Sequence, residues 1–177
     1  MLQSFFNKIS RQAAIRLFAS TALAFAATLA GSITAQAQDK PAAHYTSKHI
    51  YSETADPKAD IAAALVQARK QHKRVLLDFG GDWCGDCQVL DIYFHQAPNQ
   101  ELLEKNYVLV HVWIGHIDRN LEYPEKYGVA IKKGVPALAV IDASGKTVFA
   151  QQTGEFENMR HMDASSVTEF LEKWKRT

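Results

Sequence analysis

The sequence predicts an α/β domain with a central mixed sheet and helices on both faces. Apolar runs of strand length alternate with stretches of helical periodicity, as expected where helices connect the strands of a sheet. Helical segments separate the first two strand-like runs, which favours a parallel pair. The short turn at residues 143–146 joins the last two runs, which favours an antiparallel pair.

The first elements follow from local signals. Asp56 offers an N-cap and Pro57 suits the first helical position, so a helix is expected over residues 57–72. One short strand is expected before it, at residues 48–52. The apolar run at residues 74–79 predicts a buried strand, which the two glycines that follow should end.

The second half of the domain continues the alternation. Ser166 and Glu169 form a capping-box pattern, so the last helix is expected to begin at Ser166. The elements expected before it are a helix at 84–96, helical turns at 98–106, a strand at 107–114, a short helix that Gly128 ends, and strands at 136–142 and 147–152.

The N-terminal segment is predicted to be a cleavable signal peptide, residues 1–37. A basic start is followed by an uncharged, alanine-rich apolar run and by the small-x-small pattern at Ala35–Ala37. An uncleaved membrane anchor is the alternative. With cleavage, residues 38–55 are expected to be a linker, residues 56–177 the folded domain, and the product a periplasmic protein with no stable membrane insertion.

Charge excludes one class of partner. The chain of 177 residues has a formal net charge of +1. A nucleic-acid-binding domain needs a clustered basic face, and no such cluster stands out along the sequence. A nucleic-acid partner is therefore not expected. Hydrolase activity is not expected either, because no G-x-S-x-G motif occurs.

The two cysteines of the chain, Cys84 and Cys87, allow three interpretations. A purely structural disulfide across so short a loop would remove little chain entropy. A pair of soft thiolates suits Cu(I) or zinc, but a closed zinc site needs four ligands and no second C-x-x-C occurs. A redox couple is therefore favoured, and a metallochaperone stays an alternative. Its further ligands would come from His95, His111, His116 and His161.

Three stretches together carry a family resemblance. LLDFGGDWCGDC places the cysteine pair after a buried strand, KKGVPALAVID places Val135–Pro136 before a later strand, and a hairpin and a helix follow. This arrangement resembles the thioredoxin family from residue 56 onward. The resemblance implies a thioredoxin-like fold with a four- to five-stranded mixed sheet, thiol–disulfide oxidoreductase activity through a Cys84–Cys87 disulfide, and no cofactor or metal.

The site residues have distinct expected roles. Cys84 lies at a helix N-terminus, where the helix dipole stabilises a thiolate, so it is expected to be the nucleophile and Cys87 the resolving thiol. The resemblance implies that Asp78, in the strand below, exchanges a proton with the inner cysteine. It also implies a cis peptide bond at Val135–Pro136. Trp83, Val135 and Pro136 are then expected to bind the substrate.

The residues between the cysteines depart from the family pattern. Thioredoxin has Gly-Pro there, whereas this chain has Gly85 and Asp86. The negative charges of Asp86 and Asp82 should destabilise a thiolate at Cys84, which makes the couple less oxidising and favours a reductase. A disulfide oxidase or isomerase stays an alternative.

The expected partners follow from a reductase in the periplasm. They are disulfide-containing protein substrates and a membrane disulfide reductase that supplies electrons. The connection at residues 153–166 is longer than in thioredoxin, and an ordinary surface loop is its simpler interpretation. The sequence leaves open whether this connection covers the active site.

Overall fold

The computed structural model describes residues 48–176, in which five α-helices and four strands alternate. The predicted signal peptide lies outside the described residues. Two short 3-10 helices, Ile131–Lys133 and Met159–His161, complete the regular structure of the described part. In chain order the main elements are α1 (Pro57–Gln71), β1 (Arg74–Gly80), α2 (Gly85–Phe94), α3 (Asn99–Asn106), β2 (Tyr107–Trp113), α4 (Glu122–Tyr127), β3 (Ala137–Ile141), β4 (Thr147–Ala150) and α5 (Ala164–Trp174).

The sheet has the strand order β2-β1-β3-β4. Strand β1 is parallel to β2 and antiparallel to β3, and β3 and β4 form the predicted hairpin. The mixed sheet predicted from the sequence is thus confirmed, with four strands in residues 48–176. The register pairs Asp78 on β1 with His111 on β2, so both side chains leave the same face of the sheet side by side.

Helices cover both faces of the sheet, as predicted. On one face, Leu77 and Phe79 of β1 belong to a core shared with Ile61 of α1. On the other face, Leu76 belongs to a core shared with Leu90 of α2 and with α5. Because both faces are covered, β1 is a near-continuous run of apolar residues, and Asp78 is an exception within it.

Local signals located most elements to within one or two residues. Helix α1 begins as predicted, because the Asp56 carboxylate accepts a hydrogen bond of 2.9 Å from the Lys58 amide and Pro57 holds the first helical position. Gly128 ends α4 in a left-handed conformation. No helix of the described residues is long and apolar enough to cross a membrane.

The segment before α1 differs from the prediction. No strand forms at residues 48–52. Residues 48–51 lie against the domain instead, and Tyr51 is only 3 % exposed. Residues 48–55 therefore do not behave as a free linker. The backbone bonds that a strand would need are supplied by side chains of the domain, which makes pairing with another strand unnecessary.

The last helix begins earlier than the capping-box pattern predicts. Helix α5 starts at Ala164, so Ser166 lies inside its first turn. The reason is a tertiary contact with α3. The side-chain nitrogen of Asn99 donates to the Ala164 carbonyl at 3.0 Å, and the Thr168 hydroxyl donates to the side-chain oxygen of Asn99 at 2.6 Å. These bonds tether the first turn of the helix before Ser166.

Candidate functional site

The cysteine pair lies at the N-terminus of α2. Cys84 is the N-cap residue, and its sulfur accepts a hydrogen bond of 3.1 Å from the Cys87 amide. Cys84 and Cys87 form a disulfide. Cys84 keeps a small accessible surface, whereas Cys87 has none. The predicted asymmetry between an outer and an inner sulfur is therefore present.

Val135 and Pro136 lie beside the outer sulfur. The Val135–Pro136 peptide bond is cis, as the resemblance implied, and a second cis bond precedes Pro98. The Val135 carbonyl oxygen lies 3.5 Å from the Cys84 sulfur. The backbone of Val135 is therefore next to the sulfur at which a substrate would bind.

Trp83 forms an apolar surface next to the disulfide. Its side chain is one of the few large apolar groups left open to solvent, at 46 % exposure. The indole nitrogen donates a hydrogen bond of 2.7 Å to the Gly115 carbonyl, and the ring stacks on His116 at 5.0 Å between centroids. The indole is thus held in one orientation beside Cys84.

Asp78 is buried beneath the site, at 1 % exposure. One of its carboxylate oxygens, Oδ2, accepts a hydrogen bond of 2.7 Å from the Tyr51 hydroxyl and lies 2.8 Å from Nδ1 of His111. The other oxygen, Oδ1, has no hydrogen-bond partner among the described residues. A buried carboxylate with one oxygen left over is suited to take up a proton.

The partners of Asp78 have shifted proton affinities. Burial, the charge of Asp78 and the hydrogen bond to it together raise the pKa of Tyr51 well above its usual range, so the phenol stays a donor. Burial alone would lower the pKa of His111. The hydrogen bond to Asp78 and the surrounding carboxylates outweigh it and raise the pKa of His111 above 6.5.

Asp86 is not the free charge that the sequence argument assumed. Its side chain is only 10 % exposed. Its Oδ1 accepts a 2.9 Å hydrogen bond from the Arg160 backbone amide, and the Arg160 guanidinium donates to both oxygens at 3.0 to 3.2 Å. The guanidinium offsets the negative charge of Asp86, so the expected destabilisation of a Cys84 thiolate is largely cancelled.

Asp82 holds the N-terminal segment over the site. One of its oxygens accepts hydrogen bonds from the amides of Ile50 and Tyr51, at 2.8 and 3.0 Å, and the other lies 3.0 Å from Nδ1 of His49. These bonds disperse the negative charge of Asp82. They also bring Tyr51 into reach of Asp78, which explains why the segment lies against the domain.

The connection between β4 and α5 is packed into the fold. Phe156 and Met159 are buried in the core on the α2 side of the sheet. The Arg160 side chain lies over Gly85, 3.7 Å from the point where a Cβ atom on that glycine would be. An ordinary surface loop is therefore the wrong interpretation of residues 153–166. Because Arg160 binds Asp86, this connection forms one wall of the region around the cysteine pair.

Gln151 ties the connection to the strand that follows Pro136. Its side-chain oxygen accepts a hydrogen bond of 3.1 Å from the Leu138 amide, and its nitrogen donates to the Pro136 carbonyl at 3.2 Å. Gln151 is completely enclosed, so these bonds meet no competition from water. They stabilise the position of Pro136 relative to the cysteines.

The sequence did not identify Tyr51, Arg160 or Gln151 as site residues. Tyr51 lies 27 residues from Asp78, and Arg160 lies 74 residues from Asp86. For His111, by contrast, the sequence did contain a signal of its place beside Asp78. Aligning the starts of the two predicted parallel strands would have set His111 beside Asp78.

The histidines proposed as further metal ligands have other contacts. His111 pairs with Asp78, His95 with Asp91 and His116 with Trp83. His161 lies 2.6 Å from the side-chain oxygen of Asn158. Within residues 48–176, no group of three or more His, Cys, Asp or Glu side chains is arranged to hold a metal ion.

Known proteins resemble this chain in sequence and in fold. A family model described as thioredoxin-like matches residues 56–143. The crystal structure of a disulphide isomerase from Xylella fastidiosa Temecula1 is 35% identical, with a TM-score of 0.68, and the match covers 71% of this chain and 96% of that one. The oxidised C-terminal domain of DsbD from Neisseria meningitidis is 21% identical with a TM-score of 0.47, over 69% of this chain and 97% of that one.

One curated relative is a much longer protein. The thiol:disulfide interchange protein DsbD of Pseudomonas fluorescens is 28% identical over 140 residues, which are 77% of this chain. The same match spans only 22% of the length of that relative.

Proposed function

Because the chain belongs to the thioredoxin-like family of disulfide oxidoreductases, we propose that it is an exported reductase of protein disulfides. Cys84 attacks a substrate disulfide as a thiolate and forms a mixed disulfide. Cys87 then attacks the Cys84 sulfur, which releases the reduced substrate and leaves the Cys84–Cys87 disulfide. Asp78 takes the proton that Cys87 must lose before it attacks.

The observation that carries the reductase direction is the environment of the Cys84 sulfur. A strong oxidant needs a thiolate stabilised by nearby positive charge, because this stabilises the reduced form. Here the sulfur accepts a backbone hydrogen bond from Cys87 but also lies 3.5 Å from the Val135 carbonyl oxygen, which repels a thiolate. The guanidinium of Arg160 is held by Asp86. The balance favours a thiol and hence a reducing couple.

The substrate groove comprises Trp83, Val135 and Pro136. An extended substrate segment can place its disulfide at Cys84, form backbone hydrogen bonds with Val135 and cover the exposed indole of Trp83. The main-chain contacts do not depend on the substrate sequence, so the groove suits disulfide-containing proteins as a class. Gly85 and Asp86, between the two cysteines, contact Arg160 and so fix the position of the connection next to Cys84.

Export to the periplasm rests on the signal-peptide pattern of residues 1–37. A reductase in an oxidising compartment must be re-reduced by a partner. The similarity to a part of DsbD supports a membrane disulfide reductase as that partner. Fractionation of cells that express the full chain tests this step. The mature protein should appear in the periplasmic fraction, and it should be shorter than the full chain by the length of the signal peptide, residues 1–37.

A trapping experiment tests the proposed reaction. The Cys87→Ser variant should accumulate mixed disulfides with substrate proteins through Cys84, because the resolving thiol is missing. The Cys84→Ser variant is the matched control and should trap almost none. Trapping through Cys87 in preference to Cys84 would contradict the assigned roles.

An isomerase is the second candidate, because a solved relative with 35% identity is described as a disulphide isomerase. An isomerase must reshuffle the bonds of a scrambled protein without net reduction. Recovery of native enzyme from scrambled ribonuclease, in the absence of excess reductant, would favour this candidate. Reduction of the scrambled bonds without recovery would favour the reductase.

A further inference from the structure

The inner cysteine needs a path for its proton. Cys87 is completely buried, and each catalytic cycle removes a proton from it and later returns one. Asp78, the expected acceptor, is itself sealed from solvent. A carboxylate that takes a proton in every cycle must also pass it on, so a group that connects Asp78 with water is required.

The inner sulfur lies over the face of β1 that carries Asp78. Gly80 follows Asp78 by two residues on β1, so both positions face α2. A Cβ atom on Gly80 would lie 2.8 Å from the Cys87 sulfur and 2.6 Å from the Tyr51 hydroxyl. The missing side chain of Gly80 therefore leaves room for both the sulfur of Cys87 and the phenol of Tyr51 on the face of β1 where Asp78 lies.

Two donors fix the orientation of the Asp78 carboxylate. Tyr51 and His111 both bind the same oxygen, Oδ2, at 2.7 and 2.8 Å. Oδ1 is buried without a hydrogen-bond partner in the part of the chain that the structure describes. Because Oδ2 already accepts two hydrogen bonds, Oδ1 is the oxygen left to receive a proton.

His111 links this buried group to the surface. Its side chain is 22% exposed, against 2% for the Asp78 side chain. It also lines a surface cleft together with Ile50 and Asp60. His111 is thus in direct contact with the carboxylate on one side and with solvent on the other.

We propose that His111 is the proton exit of the cysteine pair and that Tyr51 is a positioning residue for Asp78. This inference rests on the proposed thiol–disulfide exchange and adds to it two residues outside the C-x-x-C motif. It applies to either direction of electron flow.

Cys87 gives its proton to Asp78 as its sulfur attacks Cys84, the Cys84–substrate S–S bond breaks, and the substrate sulfur leaves with the bonding electron pair as a thiolate. Protonation of Asp78 weakens the hold of His111 on its own proton, which passes to water. The Asp78–His111 pair then holds as many protons as before. Re-reduction of the disulfide runs the same transfers backwards.

Charges around His111 favour its protonated form. Burial lowers the pKa of His111, but the hydrogen bond to Asp78 and the neighbouring carboxylates outweigh it and raise the pKa above its ordinary value, so His111 binds a proton more readily than a free histidine. The titratable groups that face it come from each element packed around it. They are Tyr51 of the N-terminal segment, Asp60 of α1, Asp78 of β1, Asp82 of the following loop and Asp91 of α2.

Exchange with glutathione tests the proposal in both directions. Reduced protein is mixed with glutathione disulfide, oxidised protein with glutathione, and the release of the mixed disulfide is timed by rapid mixing. His111→Gln can still donate to Asp78 but cannot carry a proton, so this step should slow at least about tenfold at neutral pH and lose its titration. His72→Gln changes an exposed histidine at the end of α1, is the matched control and should exchange like wild type.

Chemical rescue separates proton transfer from structure. In His111→Ala, added imidazole should restore most of the lost rate, because the small base can enter the space and carry the proton. Tyr51→Phe should slow the same step less. A His111→Gln protein with wild-type melting and a wild-type rate across the pH range would overturn the proposal, as would His111→Ala without any recovery in imidazole.

A measurement on the unaltered protein serves if these variants unfold. Heavy water should slow release of the mixed disulfide more than its formation, and equal effects on both steps would overturn the proposal. These outcomes are separable from the reductase assignment. An oxidising reduction potential would contradict the reductase assignment but not the role of His111. A wild-type rate of mixed-disulfide release in His111→Gln would contradict the role of His111 but not the reductase assignment.

Discussion

The pairing of Asp86 with Arg160 can be tested by a double-mutant cycle. The single variants are Asp86→Ala and Arg160→Ala, and the third variant combines them. The Asp86 carboxylate is largely buried and binds both the Arg160 backbone amide and its guanidinium, while the Arg160 side chain is 55% exposed. The pair is therefore stronger than a surface ion pair but not fully shielded from solvent.

The structure gives the expected magnitudes. Hydrogen bonds to a charged group contribute about 1.5 to 3 kcal/mol, and the exposure of Arg160 reduces the share of its guanidinium. Asp86→Ala should lower the free energy of unfolding by about 2 kcal/mol. Arg160→Ala keeps the backbone donor but leaves a buried carboxylate without its cation, so a similar loss is expected. The double variant should lose about 1 kcal/mol less than the sum.

Urea unfolding of the four proteins measures these values. A matched control is the exposed ion pair between Glu172 and Lys175, for which the same cycle should give a coupling near zero. The two single variants should also change the reactivity of the Cys84 thiol in opposite directions. In Asp86→Ala the guanidinium remains while the carboxylate is gone, so the reduced protein should react faster with iodoacetamide at neutral pH. Arg160→Ala should react more slowly.

Strictly additive stabilities would refute the coupling, because independent side chains give no interaction energy. Equal alkylation rates in both single variants would refute the electrostatic part. The connection between β4 and α5 would then be held without a contribution from the ion pair, by the burial of Phe156 and Met159 and by the hydrogen bond from the Tyr93 hydroxyl to the Met162 carbonyl.

Further predictions concern residues around the disulfide. Gly80→Ala inserts a methyl group between Tyr51 and Cys87 and should cost about 1 to 3 kcal/mol in urea unfolding. The pKa of His111 is raised above 6.5, so the stability that its protonated form adds is fully present below that pH and is lost as pH rises through the raised value. The free energy of unfolding should therefore fall with rising pH, and His111→Gln should remove this pH dependence when unfolding is measured between about pH 5 and about pH 9. Gln151→Leu leaves the Leu138 amide without its buried acceptor and should cost about 1 to 3 kcal/mol, measured by the same method. Trp83→Ala should change stability little, since the ring is half exposed, but should raise the KM for a protein disulfide with little change in kcat.

Much of the fold is predictable because its signals are local. The buried strand β1, the Pro57 helix start and the glycine that ends α4 each follow from a few adjacent residues. The cysteine pair is equally local, since its chemistry depends on the helix N-terminus that begins there. These features needed no knowledge of distant contacts.

The errors arise where distant side chains decide the structure. The start of α5 is set by Asn99 of α3, and not by the capping-box pattern at Ser166. The charge of Asp86 could be read from the sequence, but its neutralisation by Arg160 could not. Tyr51 lay in the short strand predicted at residues 48–52, but its burial depends on Asp78 and Asp82, which are 27 and 31 residues away along the chain.

The reduction potential of the Cys84–Cys87 couple tests the central claim most directly. The protein without residues 1–37 is equilibrated with dithiothreitol or glutathione buffers, and the fraction of disulfide is measured after acid quenching and alkylation. A reductase of this kind should have a reduction potential near that of thioredoxin, about −270 mV. A value above about −180 mV would contradict it and would identify the protein as a disulfide oxidant or isomerase.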